Sequence, residues 1–136
     1  MFLVDTNVIS EARKGGKANA GVRAFWQSAA PAELYLPVQA IGEIRRGLEN
    51  IRQRGDAAQA GMLEAWLDVV VTDHADRILE FDLDCAQVWG WLMSPNAQHP
   101  IDKQIASIAL IHDLTVVTRN VDDFKGLGVR LMNPFL

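Results

Sequence analysis

The feature that most restricts the fold of this chain is a series of short, largely apolar runs, each followed by a helix-forming stretch. Phe2–Asp5, Leu34–Leu36, Ile78–Phe81, Thr115–Thr118 and Val129–Met132 read as strands. Between them lie helical patterns, at Val8–Lys14, Ala18–Ala29, from Val38 with Ile41, Ile44 and Leu48 on one face, and through Met62, Leu63, Trp66, Leu67 and Val70. Further helices are expected at Leu83–Met93 and Ile101–His112. Runs with no polar alternation suit strands buried on both faces, and intervening helices demand parallel pairing. The expected fold is therefore α/β, with a central, mostly parallel sheet of about five strands and helices on both sides. Right-handed crossovers then gather every strand-to-helix loop at one edge of the sheet, where ligands of such sheets bind.

At 136 residues the chain fits one domain, 1–136, and shows no repeat or linker. Its net charge of −4 argues against nucleic-acid affinity from bulk positive charge, while leaving room for a local basic groove or a metal-neutralised acid cluster. One cysteine, Cys85, rules out an intrachain disulfide framework and reads as a small buried apolar group. His74, His99 and His112 share no short ligand spacing, which excludes a zinc finger or an H-E-x-x-H site, and they read as incidental. No stretch approaches a bilayer span, and Asp5 interrupts the first apolar run. A cytoplasmic protein with no membrane contact is expected.

Position singles out four acids. Asp5 ends the first strand, Glu43 lies in the helix after the second, Asp102 opens the helix before the fourth, and Asp123 follows the fourth. Three of them have a plain structural role open to them: Asp5 as a helix cap, Asp102 as a complement to its helix dipole, Glu43 as a solvated residue. Brought together in one crevice, however, they repel and need neutralising. An oxygen-only donor set suits Mg²⁺ or Mn²⁺.

The segments Val4-Asp5-Thr6-Asn7, Gly42-Glu43-Ile44-Arg45-Arg46-Gly47, Asp102-Lys103-Gln104-Ile105-Ala106 and Thr118-Arg119-Asn120-Val121-Asp122-Asp123-Phe124 resemble, in order, the four motifs of PIN-domain proteins. The likeness covers essentially the whole chain and is greatest to VapC toxins of the FitB-like group. It implies a Mg²⁺-dependent endoribonuclease (Mn²⁺ as a substitute), the toxin of a toxin–antitoxin pair, working as a homodimer and held by a cognate antitoxin. It assigns the catalytic, metal-holding acids to Asp5, Glu43, Asp102 and Asp123, with Thr6, Asn7, Thr118 and Asn120 as polar support. The family pattern places the last acid directly before Phe, which selects Asp123 and leaves Asp122 as an outer group. Cleavage by ion-activated water would leave a 5′-phosphate and a 3′-hydroxyl.

Setting the four acids aside leaves the rest of the chain formally neutral, so local cations can steer RNA. Arg46 and Arg119 are the first candidates for phosphate contact, ahead of Arg13, Lys14, Lys17 and Arg45; Arg52 and Arg54 read as solvated. Of Trp26, Trp66, Trp89 and Trp91, three fit apolar helix faces, but Trp89 and Trp91 cannot share one. One of that pair is left for a dimer or antitoxin contact. A phosphoacceptor receiver domain would need an acidic pair after the first strand and a late lysine, and here stand Asp5 alone and Thr118-Arg119. Two other outcomes stay open: a catalytically quiet partner in a DNA-binding repressor complex, touching promoter DNA only through the antitoxin, and a nuclease acting on DNA.

Overall fold

A computed structural model describes residues 1–136. Five strands form one sheet: β1 (Phe2–Val4), β2 (Leu34–Pro37), β3 (Ile78–Leu79), β4 (Thr115–Val117) and β5 (Leu131–Met132). Their order across the sheet is β3-β2-β1-β4-β5 and every neighbouring pair is parallel. Seven helices complete the fold: α1 (Thr6–Ala12), α2 (Ala20–Ser28), α3 (Val38–Gln53), α4 (Ala57–Asp73), α5 (Leu83–Met93), α6 (Pro100–His112) and α7 (Val121–Phe124).

The strands alternate between two cores, as a pleat requires. In β1, Val4 joins Val8, Val22, Leu36, Leu48 and Leu67 on the face covered by α1 to α4. Leu3 joins Leu92, Ile105, Ile108 and Phe124 on the face covered by α5 to α7. Val117 and Val116 divide in the same way on β4. Both faces are thus covered, as the apolar runs require.

The elements differ from the sequence reading mainly at their ends. Helix α1 begins at Thr6, not Val8, because Asp5 caps it, accepting from Thr6 N–H at 2.8 Å. Helix α2 starts at Ala20, not Ala18, because Asn19 Oδ1 accepts from the Gly21 and Val22 N–H groups. Strand β3 stops at Leu79 instead of Phe81: its partner β2 ends at Pro37, and α3 begins at Val38, so nothing remains to pair with. Strand β5 is likewise confined to the two residues opposite Val116 and Val117.

The C-terminal residues close against α2. Asn19 Nδ2 donates to Leu136 O at 3.2 Å and Asn19 Oδ1 accepts from Leu136 N–H at 3.1 Å. Gly21 permits this approach, since a Cβ there would lie 2.0 Å from Pro134 O and 2.7 Å from Leu136 Cγ. Gly21→Ala should therefore cost about 1–3 kcal/mol by overpacking. At Gly61 in α4, open space surrounds a Cβ, and Gly61→Ala should gain about 0.5–1 kcal/mol. Urea midpoints of the two variants test this opposition of sign.

Candidate active site

The chain leaves β1 toward β2 and β3 on one side and later returns to place β4 and β5 on the other. The reversal of direction puts the topological switch point between β1 and β4. Asp5 emerges there: its N–H donates to Val117 O at 2.9 Å, and its side chain is buried, the residue being 4% exposed. A buried carboxylate needs donors. Asp5 receives one from Thr6 N–H, one from Thr118 Oγ1 at 2.9 Å and one from Asn7 Nδ2 at 3.2 Å. Thr118 is itself fully buried, and its hydroxyl oxygen also accepts from Asn120 N–H at 3.0 Å and Asn7 Nδ2 at 3.3 Å. Asn7 Oδ1 in turn accepts from Arg119 N–H at 3.0 Å. One lattice therefore joins the start of α1 to the segment after β4, and Asp5 both caps a helix and faces the crevice.

The other acids arrive by separate routes. Glu43, in the second turn of α3, is held by Thr6 Oγ1, which donates to its Oε1 at 2.8 Å. Asp102 lies in the first turn of α6 and Asp123 in α7. Gln39 Nε2 donates to Gln104 Oε1 at 3.2 Å, tying α3 to α6. His99, just before α6, lies with Nε2 at 3.7 Å from Asp123 Oδ1 and Nδ1 at 4.0 Å from Asp102 Oδ2. These separations are too long for hydrogen bonds, yet ligand atoms of His99, Asp102 and Asp123 all lie within 4.8 Å of one another.

Proximity shows in the proton affinities. Asp102 is pushed up to about 6, first by burial and then by the charges of Asp5, Asp123 and Glu43, with His99 opposing. Asp5 is also raised, by burial above all, against the pull of Thr118, Thr6 and Asn7, with Asp123 adding to the rise. Burial and then the Asp5 charge raise Glu43, while Thr6 and Arg46 draw it down. The four carboxylates thus form one electrostatic group. A hard divalent cation fits this donor set: carboxylate oxygens in excess, mutually repelling, with an imidazole nitrogen beside them that Mn²⁺ also accepts.

Of the remaining expected site residues, Thr6, Asn7 and Thr118 touch the acids directly, whereas Asn120 contributes its backbone N–H. Asp122 turns away, pairing with Lys125 at 2.7 Å, and that ammonium holds its carboxyl below the usual range. Arg46 is exposed and close enough to act on Glu43. The Arg119 guanidinium packs over the Phe135 ring at 4.9 Å. Lys14 and Arg45 are already engaged, with Glu11 and with Glu49 and Glu64 respectively. Arg52 is not merely solvated, since it bonds Glu49 and Glu64. His99 corrects the reading of all three histidines as incidental. Its signal was a position three residues before Asp102, next to the Pro100 that opens the helix; its left-handed backbone, φ 54°, gave none.

A two-sided parallel sheet carrying an acid cluster at its switch point defines a class, the α/β proteins with an acidic crevice at the sheet's carboxyl edge. The PIN domain family model matches residues 2–129, and the chain belongs to that family. It is 32% identical over 142 residues to plasmid stability protein StbB of Pseudomonas syringae pv. tomato, covering 99% of both chains. It is 30% identical over 141 residues to toxin FitB of Neisseria gonorrhoeae, again covering 99% of both. A structure of FitAB bound to the IR36 DNA fragment superposes with a TM-score of 0.86 at 29% identity, over 98% of this chain and 95% of that one.

The sign of the pH dependence follows from the raised acids. Between the ordinary Asp value of 3.8 and about 6, the folded, metal-free protein holds the Asp102 proton more tightly than the unfolded chain does. Asp102 therefore costs stability as pH rises through that window, and the cost is complete above it. In EDTA, Asp102→Asn should melt above the parent at pH values over about 6, and the gap should close as pH falls toward 4. Saturating Mg²⁺ should reverse the order, because only the parent keeps the carboxylate. Calorimetry across pH, with and without the ion, checks both signs.

Proposed function

We propose that this protein is a divalent-metal-dependent endoribonuclease and the toxin of a toxin–antitoxin pair. The observation that carries the reading is the convergence of Asp5, Glu43, Asp102 and Asp123 into one group, in which burial and neighbouring charge raise the hold of Asp5, Glu43 and Asp102 on their protons. Those four acids would hold Mg²⁺, or Mn²⁺ in its place. A divalent ion there supplies Lewis-acid polarisation of a scissile phosphate and a lowered pKa for the attacking water. The chain's own residues do the positioning. Thr118, Asn7 and the Thr6 N–H fix both Asp5 oxygens, and the Thr6 hydroxyl fixes Glu43. Arg46, exposed beside Glu43, offers a phosphate contact, and Arg119 becomes one by leaving Phe135.

The relatives support the biological setting. One bears the name toxin, and the structure of FitAB is bound to DNA. The proposal accordingly includes a cognate antitoxin that covers the crevice, a homodimer, a cytoplasmic location, and promoter DNA reached only through the antitoxin. No helix here is long and apolar enough to cross a membrane. The DNA-bound relative also favours a second reading, in which the complex represses its promoter and catalysis is quiet.

Antitoxin-free protein incubated with total cellular RNA separates the two. Discrete fragments should form with Mg²⁺ and vanish with EDTA. Asp5→Asn should slow cleavage by at least about a hundredfold, and Thr118→Val, which removes a donor to Asp5, by about tenfold. A folded, Mg²⁺-loaded protein that cleaves no RNA pool would favour the repressor reading, which promoter DNA bound jointly with the antitoxin would then establish.

A further inference from the structure

Beside the acid cluster lies a cavity of about 590 Å³, bounded by the end of α5, the 94–99 loop, the start of α6 and α7. Its volume is in the range that holds a small organic ligand. Most of its lining residues are polar or charged, and it shares a wall with the acid cluster, because His99 and Asp123 line both. Lys103, Lys125, Asn96 and Trp91 complete the lining that matters here.

Two of these residues keep binding capacity that the rest of the fold leaves unused. Lys103 is 5% exposed, yet it takes part in none of the protein's ion pairs. Its Nζ donates to Asn96 O alone, leaving donors free at the cavity wall. A buried cation with one neutral acceptor is costly, and an anion in the cavity would relieve it. Trp91 is 75% exposed on the face of α5 opposite to Trp89, which packs edge-on against Phe81 and donates to Pro100 O. An exposed indole at the mouth of a polar cavity supplies a flat surface and little else.

We propose that this cavity is a nucleotide subsite, taking the nucleotide next to the scissile phosphate of a single-stranded RNA. That nucleotide's own phosphate sits on Lys103 and its base lies against Trp91. The inference rests on the nuclease reading for the place of the scissile phosphate at the acid cluster. Single-strand sites elsewhere combine these two elements, a cation for the backbone and an aromatic face for the base. Asn96 and Gln98 also line the cavity and bring side-chain amides to its wall. A basic peptide, drawn by the carboxylates alone, would meet Lys103 and Lys125 in this cavity. The Lys125 charge is already balanced by Asp122 at the rim, so Lys103 carries the anion preference.

The test is equilibrium binding of a short fluorescein-labelled single-stranded RNA to Asp5→Asn protein in Mg²⁺, where the strand stays intact. Trp91→Ala, at a site too exposed to carry the fold, should weaken binding about tenfold. Lys103→Met should weaken it by a similar factor and flatten the slope of log affinity against log salt by about 0.7, one phosphate contact fewer. Should Lys103→Met fail to fold, Trp91→Ala and quenching of the Trp91 fluorescence by bound RNA decide the matter. Unchanged affinity and no quenching overturn the subsite, as does a loss confined to antitoxin binding. The two proposals fail separately. RNA held with Trp91 and Lys103 dependence but never cleaved by the Asp5-containing protein removes the nuclease and keeps the subsite. Cleavage with no such dependence does the reverse.

Discussion

The structure depends on how one buried carboxylate is satisfied. Asp5 ends the central strand at the switch point and is almost wholly enclosed. Its oxygens are held by a backbone N–H of its own helix, an amide two residues on, and a hydroxyl that follows β4. Through Thr118 and Asn7 the same lattice fixes the Asn120 and Arg119 N–H groups, and with them the approach to α7 and Asp123. Pairing of β1 with β4 at Val4 and Val117 brings those partners within reach. Sheet register and site geometry are consequently a single constraint: a slip at this pairing would leave a carboxylate and a hydroxyl buried without each other.

Against that well-satisfied centre stands an unbalanced periphery. Glu43, Asp102 and Asp123 each have some contact with solvent or a donor, yet their charges add to that of Asp5 and are only partly offset by Arg46 and His99. The fold absorbs this repulsion with two large apolar cores, one on each side of the sheet. Its other charges are arranged conventionally. Arg45 and Arg52 on α3 interlock with Glu49 and with Glu64 on α4, joining the two longest helices by a lattice on their polar sides. Favourable ion pairing is therefore kept away from the crevice, where acids stay under-neutralised.

Much of this was legible in the residue order, for reasons that differ by element. The strands could be read because burial on both faces leaves them no polar alternation. Asp5, Glu43, Asp102 and Asp123 could be placed because each occurs at a fixed offset from a strand or helix end, and the sheet edge collects those ends. The lengths of β3 and β5 could not, since they depend on where the partner strand stops. Nor could the engagement of Arg45 and Arg52, because their partner Glu64 lies on another helix. The isolated burial of Lys103 beside a cavity is likewise a property of packing between α5, α6 and the 94–99 loop. His99 was legible in part, by its spacing to Asp102, though not by its contact with Asp123.

The bond from Thr118 to Asp5 spans 113 positions of the chain. During synthesis Asp5 therefore emerges long before Thr118 and Asp123. Until then β1 lacks its β4 neighbour, Asp5 lacks its hydroxyl donor, and the acid set is one member short. A chain that stops short of β4 therefore lacks both the hydroxyl that holds Asp5 and the completed acid set.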